Sequence, residues 1–582
     1  MIATGHKYTS ALLLLFAIVI TIILRWNFSH PTQFIEGDDA AIAAGLARLC
    51  VKADIGPYYF HAPKIDNAAY QQYQQTGNTS ESALDGEYLS DQKTHPFYRY
   101  DSMTGVYFLG SRNCSWGDAA SRLLFLCFLA GTFFPLFLAL FFERLFRPLP
   151  SLFLPICYLS IALSPEQWVS GSAYINDKIL AMCFLAFALW LLVSVPEKKL
   201  SRYAVLGLAG ISIGLSCLMR FDSILFLPLV FLVVLAQSPK INPKYVFAQI
   251  PNAIFTFAFS VTTYLSVMWT MKASIANALQ SGANAGISFQ NWYVKLRIIF
   301  VAFGWGQVII ALMTLGILSV YLANYLIRTK SDRKTSFHVT SKGILHLINS
   351  KVSVKSLSLV ILFLFVEPIF LFSFPFSSTK YVLLSSALFT TLWTMVAFRL
   401  WQEKSERIRS GSFKRLDIYA FLFIMVFLPP LSGFIELRHI HSSDGVRYMG
   451  GWFLHAAQPN EDAVTANRIM DCFSKEMDDF GKHVLVKTPS WVLEESIAYE
   501  AANRGWQNRV IPLSAFIENP EENTKMHFTL NQYLFPGTEE FGISVTSDYD
   551  VYTYKDLLTE QVFEESFGSN YIFYEDMACA FP

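Results

Sequence analysis

The sequence predicts a polytopic α-helical membrane protein with about eleven spanning helices and a soluble α/β domain at its C-terminus. Of its 582 residues, 53% are hydrophobic and only 15% are charged, whereas a soluble chain carries about 25% charged residues. A larger soluble core does not explain this deficit, because single cores stop growing near ~250–300 residues. The apolar residues instead form runs, many close to the roughly 20 residues that cross a bilayer.

These runs define the predicted spans in chain order. The first span is interpreted as a retained anchor, because no small-residue cleavage site follows it. Several runs are short for a bilayer, notably 151–164, so the prediction extends from ten to thirteen spans. The spans are 9–25, 120–142, 151–164, 178–195, 203–218, 222–237, 249–271, 298–327, 356–374, 379–399 and 416–436.

Basic residues in the connections predict the orientation, because Lys and Arg accumulate in short cytoplasmic loops. Every second connection is basic, and the intervening ones are poorer in Lys and Arg for their length. The N-terminus is therefore predicted to be cytoplasmic, with the segments 26–119, 165–177, 219–221, 272–297 and 375–378 and everything after 437 outside. The basic residues are Arg144, Arg147, Lys198, Lys199, Arg202, Lys240, Lys244, Arg328, Lys330, Arg333, Lys334, Lys342, Lys404, Arg407, Arg409, Lys414 and Arg415.

Two domains are predicted. Residues 1–450 form the transmembrane core, including the first outer loop 26–119, whose many Tyr and Phe residues are typical of a membrane interface. Residues 451–582 form the soluble extracytoplasmic domain, and no catalytic motif is visible there, which favours a structural or acceptor-docking role. Its predicted strands are 483–487, 509–513, 541–554 and 571–574, with a helix at 492–503.

The cysteines are distributed as the orientation requires. Cys50 and Cys114 lie in the first outer loop, and Cys472 and Cys579 lie in the C-terminal segment. An oxidising compartment favours two disulfides, Cys50–Cys114 and Cys472–Cys579, and four free thiols are the alternative. The others lie in or beside spans.

Three charged motifs lie at the predicted outer ends of spans, where charge at membrane depth is costly and marks a candidate functional site. They are Asp38-Asp39, Asn176-Asp177-Lys178 and Arg220-Phe221-Asp222. Each has a structural alternative: Asp and Asn are preferred helix N-caps, and Arg220 could reach the interface from a tight turn.

The predicted orientation puts all three motifs on one side of the membrane, together with Arg447 and Tyr448 after the last span. Acidic clusters and arginines at one interface suit an enzyme acting on an anionic, lipid-anchored substrate. The carboxylates could act as a base or as metal ligands. The arginines could hold phosphate oxygens through paired hydrogen bonds.

On these motifs the chain resembles the GT-C superfamily of membrane glycosyltransferases, which includes the protein O-mannosyltransferases and the lipid A aminoarabinose transferases. The resemblance covers about residues 9–450 and rests on the order and sidedness of short motifs. Asp39 replaces a commoner Glu, and the C-terminal domain matches no named member. The motifs are Gly37-Asp38-Asp39-Ala40, Asn176-Asp177, Leu218-Met219-Arg220-Phe221-Asp222 and Arg447-Tyr448.

The resemblance implies an inverting transfer of a sugar from a polyprenyl-phosphate donor to an acceptor hydroxyl on a glycan, lipid or protein. Asp38, in the pair with Asp39, would be the general base, and Asp177 would orient a substrate. Asp38 and Asp177 would be the ligands of any divalent cation. The phosphate would be contacted by three further residues, Arg220, Arg447 and Tyr448. The membrane is either a bacterial inner membrane or that of an endoplasmic reticulum, and the compact cytoplasmic loops favour the former, with the C-terminal domain in the periplasm.

Other functions remain open on the sequence alone. An O-antigen polymerase or ligase also has many spans, but its large outer loop usually comes late in the chain. A transporter or flippase should show related halves and polar residues near the bilayer midplane, and no internal symmetry is visible. A non-catalytic scaffold would leave the outer carboxylates without a reason. No basic run indicates nucleic-acid binding.

Overall fold

A computed structural model describes residues 2–26, 34, 37–51, 100–147, 149–150, 152–171, 175–196, 198–236, 247–276, 278–279, 292–304, 306–313, 315–316, 354–373, 379–407, 440–441, 447–448, 461–472, 484–487, 491–506, 510–512, 541–545, 551–555 and 576–579. The chain divides into two compact units. The first unit comprises Met1–His30, Ser102–Val106 and Leu124–Ala457, and the second comprises Pro31–Asp101, Tyr107–Leu123 and Gln458–Pro582. Much of the first outer loop is thus grouped with the C-terminal segment, and the predicted boundary at 450 stays a prediction.

The described helices follow the predicted apolar runs closely. Ten of the eleven predicted spans coincide at least in part with helices, and the last, 416–436, lies outside the described residues. The helices are α1 (Ile2–Trp26), α2 (Gly37–Cys50), α3 (Thr104–Gly110), α4 (Ala119–Leu145), α5 (Phe153–Ala162), α6 (Pro165–Ser170), α7 (Asp177–Val193), α8 (Lys199–Met219), α9 (Leu227–Ala236), α10 (Ile250–Thr270), α11 (Trp292–Phe303), α12 (Gly306–Met313), α13 (Val354–Ser373), α14 (Leu383–Arg407), α15 (Glu461–Cys472) and α16 (Trp491–Asn503). Short 3₁₀ helices occupy Ser111–Asn113, Phe221–Phe226 and Thr379–Val382.

Five helical stretches among the described residues are long and apolar enough to cross a bilayer, or six if the bent pair α11 and α12 forms one span. Three shorter apolar helices accompany them, Ser10–Trp26, Phe153–Ala162 and Phe221–Leu235. The protein is therefore a polytopic helical membrane protein, whereas the number of eleven spans and the orientation stay predictions. The five stretches are Ala119–Leu145, Lys199–Met219, Ile250–Thr270, Ser356–Ser373 and Lys380–Phe398.

Close helix packing fixes α8, the helix that leads to one of the charged motifs. A Cβ atom placed on Gly210 would lie 2.3 Å from the backbone oxygen of Thr256 in α10, so only glycine allows this approach. Small residues at such contacts are typical of helix pairs in membranes. On another side, the Ser216 hydroxyl donates to the Ala181 carbonyl of α7 at 2.8 Å. These contacts fix the end of α8, where Arg220 follows.

The strands belong to two sheets. In the first unit, β1 (Ile440–His441) pairs antiparallel with β2 (Arg447–Tyr448). The second unit contains a five-stranded sheet in the order β4-β3-β5-β6-β7, in which β3 runs parallel to β4 and β5 and the remaining pairs are antiparallel. Its strands are β3 (Val484–Lys487), β4 (Val510–Pro512), β5 (Phe541–Val545), β6 (Val551–Lys555) and β7 (Asp576–Cys579).

The first strand, helix and second strand predicted for the C-terminal segment are present as β3, α16 and β4. The apolar strand residues and the helix between them produce the parallel pairing, since such a pair needs a crossover connection. The predicted strand at 541–554 is two strands, β5 and β6, joined as a hairpin. The predicted strand at 571–574 lies outside the described residues.

Candidate functional site

The candidate site in the first unit begins at the start of α7. Asn176 is the N-cap: its backbone is extended and its side-chain oxygen accepts the backbone N–H of Lys178 at 2.9 Å. Asn is among the preferred capping residues because its oxygen satisfies an N–H that the helix leaves unpaired. Since Asn176 caps the helix, the carboxylate of Asp177, which is buried, is available for another partner.

That partner is Arg220, which ends α8. Its backbone is extended, so the helix ends there. Its Nη1 donates to Oδ2 of Asp177 at 2.5 Å, and its Nε donates to Oδ2 of Asp222 at 3.0 Å. Two motifs that are 43 residues apart in sequence therefore meet in one buried ion-pair group.

Lys178 and Glu367 complete this group. The Lys178 Nζ lies 3.2 Å from Oδ2 of Asp222 and 3.5 Å from Oε1 of Glu367. The other Glu367 oxygen accepts the backbone N–H of Ser385 at 2.7 Å, in the first turn of α14, where helices leave N–H groups unpaired. The charged cluster is Asp177, Lys178, Arg220, Asp222 and Glu367.

Glu367 is not among the site residues predicted from the sequence. The signal was present, because Glu367 is a lone carboxylate in the apolar helix α13, and an ionisable residue inside a spanning segment is by default a functional candidate. The predicted motifs lie at the ends of spans, whereas Glu367 lies inside one. Lys178 belongs to the predicted motif Asn176-Asp177-Lys178, but the sequence assigns it no role of its own. In the structure it joins Asp222 to Glu367.

The charged cluster contains three carboxyl groups and two basic side chains, so it has one more acidic than basic group. All five side chains are at most 12% exposed. Buried charges persist only when they are paired and hydrogen-bonded. Burial lowers the pKa of Arg220, but Asp177 and Asp222 outweigh it and raise the pKa well above its usual value. Arg220 is therefore a permanent cation.

An aromatic and basic layer adjoins the charged cluster. The guanidinium of Arg220 lies over the ring of Tyr381, 5.0 Å from its centre, and Lys380 lies over the same ring at 5.9 Å. Such contacts are favourable because the ring face carries partial negative charge. Lys295 in α11 is also buried and donates to the Phe372 carbonyl at 3.3 Å. This part of the unit thus holds several cationic groups.

The acidic pair lies in the second unit. Asp38 and Asp39 occupy the first turn of α2, as an alanine-rich stretch after Asp predicts. Asp39 is buried, and its Oδ1 accepts the backbone N–H of Ala40 at 2.9 Å. The side chain of Asp38 lies outside the described residues. The roles predicted for Asp38 and Asp39 stay predictions.

The other predicted site residues are placed by their backbone. Arg447 and Tyr448 form β2, with Arg447 opposite His441 and Tyr448 opposite Ile440. Their side chains lie outside the described residues, so their predicted contact with phosphate stays a prediction. The hairpin holds the two residues at adjacent positions of one short strand.

The cysteines differ between the outer segments and the spans. Cys50 and Cys114 form a disulfide within the second unit. Cys472 is also disulfide-bonded, and the side chain of Cys579 lies outside the described residues. Four cysteines in or beside the spans form no disulfide: Cys127, Cys157, Cys183 and Cys217.

A metal fits poorly at Asp177. Among the described residues, no three His, Cys, Asp or Glu side chains are grouped so that they could hold a metal ion. The Asp177 carboxylate is engaged by the Arg220 guanidinium, whose positive charge would repel a cation at the same oxygens. The residues around Asp177 therefore do not fit a divalent cation.

The fold defines a class, that of the polytopic helical membrane proteins, and its first unit holds a buried cluster of five charged side chains. The chain is similar to the crystal structure of apo ArnT from Cupriavidus metallidurans, with a TM-score of 0.50 and 9% identity over 94% of each chain. ArnT is a lipid A aminoarabinose transferase and a GT-C enzyme. A structure of ArnT bound to undecaprenyl phosphate gives a TM-score of 0.45, 10% identity and the same coverage. No protein-family model and no curated protein matches the sequence.

The resemblance predicted from the sequence motifs is therefore confirmed at the level of the fold. At 9% identity the likeness concerns architecture, because a fold hosts many chemistries and function depends on the site.

Proposed function

We propose that this protein is a GT-C-type glycosyltransferase that moves a sugar from a polyprenyl-phosphate donor to an acceptor hydroxyl on the extracytoplasmic side of the membrane. The observation that carries the proposal is the ion pair between Asp177 and Arg220. It joins two motifs at the ends of apolar helices, inside a fold like that of ArnT. Buried charges of this kind are costly, which favours a functional reason for keeping them.

The cationic groups would serve the leaving phosphate. When the bond between the sugar carbon and the phosphate oxygen breaks, the electron pair leaves with the phosphate, and donors placed in advance stabilise that charge. Arg220 suits this role because two of its five N–H donors are engaged by carboxylates, which hold the guanidinium plane in place. Lys380 over the same tyrosine ring would add charge. Arg447 and Tyr448 are proposed as further phosphate contacts.

The acidic pair would serve the acceptor. The acceptor oxygen attacks the anomeric carbon on the face opposite the phosphate, and its proton passes to the Asp38 carboxylate. The configuration at the anomeric carbon is thereby inverted. Asp39 holds the N–H of Ala40, so we assign it to fixing the start of α2 beside the base. Asp177 would act through Arg220 as an orienting group.

Transfer assays with labelled donors test this proposal. The purified protein in lipid nanodiscs is incubated with polyprenyl-phosphate sugars, each carrying radiolabel in the sugar, and with membrane extract. We expect one donor to lose its label to an acceptor. Failure of every donor would refute the proposal. Asp38→Asn should abolish transfer, whereas the matched control Asp471→Asn, at a side chain that is 66% exposed, should retain it.

Arg220→Lys tests the phosphate role separately. Lysine keeps the positive charge but loses the planar fork that donates to two oxygens at once. We expect the transfer rate to fall about 10–100-fold, as for the loss of one charge-assisted hydrogen bond worth roughly 1.5–3 kcal/mol. Wild-type turnover in this variant would remove Arg220 from the phosphate site.

A further inference from the structure

The second unit contains an arrangement around α2 that the proposed mechanism does not use. The helix that carries the acidic pair is largely buried: residues 39–48 are all buried. It packs against α16 of the C-terminal segment. The small side chains of α2, such as Ala40, Ala43 and Ala47, allow this close approach. The acidic helix is therefore enclosed by a segment more than 400 residues further along the chain.

Tyr499 of α16 is the residue that reaches the entrance to α2. Its side chain is buried, and its ring meets the ring of Phe34 edge to face, with centres 5.0 Å apart. Phe34 itself is buried and precedes Asp38 by four residues. A buried aromatic pair adds about 0.5–1.5 kcal/mol beyond the area that it buries. This contact holds Phe34, three residues before α2 begins.

The hydroxyl of Tyr499 extends the connection to the other end of α2. It interacts with the carboxylate of Asp118. That carboxylate also accepts the backbone N–H of Ser121 at 2.7 Å and the Ser121 hydroxyl at 3.0 Å, both in the N-terminal turn of α4. One turn later, Arg122 donates to the Cys114 carbonyl at 2.7 Å.

The disulfide closes this chain of contacts. Arg122 Nη2 lies 3.1 Å from the sulfur of Cys50, the last residue of α2, and Cys50 is bonded to Cys114. Both ends of the acidic helix are thus held, one by the Tyr499 ring and the other by the disulfide beside Arg122. Tyr499 contributes to both through its ring and its hydroxyl.

We propose that Tyr499 is a positioning residue that sets the acidic pair for proton transfer, so that the C-terminal segment serves catalysis by holding α2. This inference rests on the proposed function for the role of Asp38. Tyr499 touches no reacting atom in it. Its effect is to restrict where the first turn of α2 lies, and misplacement of a reacting group by about 1 Å can cost about 100-fold in rate.

Two variants separate the ring from the hydroxyl. Tyr499→Ala removes both, and we expect kcat to fall about 100-fold with the KM for the lipid donor unchanged, because the phosphate site is untouched. Tyr499→Phe keeps the ring and loses the hydroxyl contact, and kcat should fall by at most about tenfold. Val464→Ala, at an exposed position of α15 in the same unit, is the control and should match wild type.

Hydrogen exchange of the peptide covering α2 supplies a readout that is independent of turnover. We expect the amides of α2 to exchange about 100-fold faster in Tyr499→Ala than in wild type. In Tyr499→Phe the increase in their exchange rate should be smaller, and the exchange rates of the α8 amides should not change in either variant. Wild-type exchange and kcat in Tyr499→Ala would overturn the proposal. If that variant does not fold, Tyr499→Phe decides: faster exchange with lower kcat supports the proposal, and wild-type values overturn it.

The two proposals fail in different ways. If wild type transfers sugar and the Tyr499 variants do so equally well, the positioning role alone is wrong. If wild type transfers no sugar from any polyprenyl donor, the proposed function is wrong, and the positioning role in that reaction is wrong with it.

Discussion

Replacing Arg220 by methionine tests whether the charged cluster is a structural unit. Methionine keeps an unbranched apolar stem but carries no charge. In wild type the Asp177 carboxylate lies 2.5 Å from the Arg220 guanidinium, and in the variant it loses that partner. Removing one member of a buried ion pair typically costs about 3–5 kcal/mol, because the other charge stays buried. Asp222 keeps Lys178 at 3.2 Å, so we expect the cost of one stranded carboxylate and not of two.

A second substitution identifies the source of this loss. Asp177→Leu in the Arg220→Met background removes the stranded charge, and an apolar pair in place of a buried ion pair is often neutral or stabilising. We expect the double variant to recover most of the lost free energy of unfolding, with a coupling of about 2–3 kcal/mol between the two sites. Transfer should be lost in both variants.

The assay is equilibrium unfolding in detergent micelles followed by tryptophan fluorescence. Arg202→Met, near the start of the same helix α8, is the matched control and should change the free energy of unfolding by less than about 0.5 kcal/mol. An Arg220→Met protein as stable as wild type would refute the reasoning. So would a double variant that is no more stable than Arg220→Met, since the loss would then not come from Asp177.

Three further predictions follow from the packing and charges. Gly210→Leu should destabilise the protein by about 1–3 kcal/mol, measured by unfolding in micelles, because its Cβ would lie 2.3 Å from a backbone oxygen of α10; an unchanged midpoint would contradict the helix contact. Cys114→Ser should lower the free energy of unfolding by about 4 kcal/mol, as expected for opening a loop of 64 residues, and a reductant should then lower the stability of the variant less than that of wild type, because the bond between Cys50 and Cys114 is already absent. Burial raises the pKa of the Glu500 carboxyl. The stability that this shift contributes is present below the ordinary carboxyl pKa and is lost as pH rises through the raised value. The melting temperature of Glu500→Gln minus that of wild type should therefore be more positive at pH 8 than at pH 5. An equal difference at both pH values would contradict the raised pKa.

The local elements were largely predictable. Apolar runs gave helices because the period and length of hydrophobic residues are local properties of the chain. The start of α7 was equally local, since Asn and Asp before an apolar run predict a cap, although only the structure shows that Asn176 is the residue that caps. The strand-helix-strand order of 484–512 followed from the same kind of pattern.

The pairing of charges was not predictable in this way. Nothing in the sequence around Lys178 indicates that it lies beside Glu367, because the two are brought together by packing among α7, α13 and α14. The same holds for Tyr499 and Phe34, which come from opposite ends of the chain. Contacts of this range depend on which helix faces meet, and many arrangements share one hydrophobic pattern.

The amino-acid sequence by itself determined that the chain resides in a membrane, where its helices lie and which motifs carry charge, because solvent preference and helix periodicity act over a few turns. Only the tertiary structure decided that Arg220 pairs with two carboxylates, that Lys178 joins Asp222 to Glu367, and that α16 packs against the acidic helix α2. The physical reason is that ion pairs and helix contacts are set by distances in space, which are fixed only when the whole chain has packed.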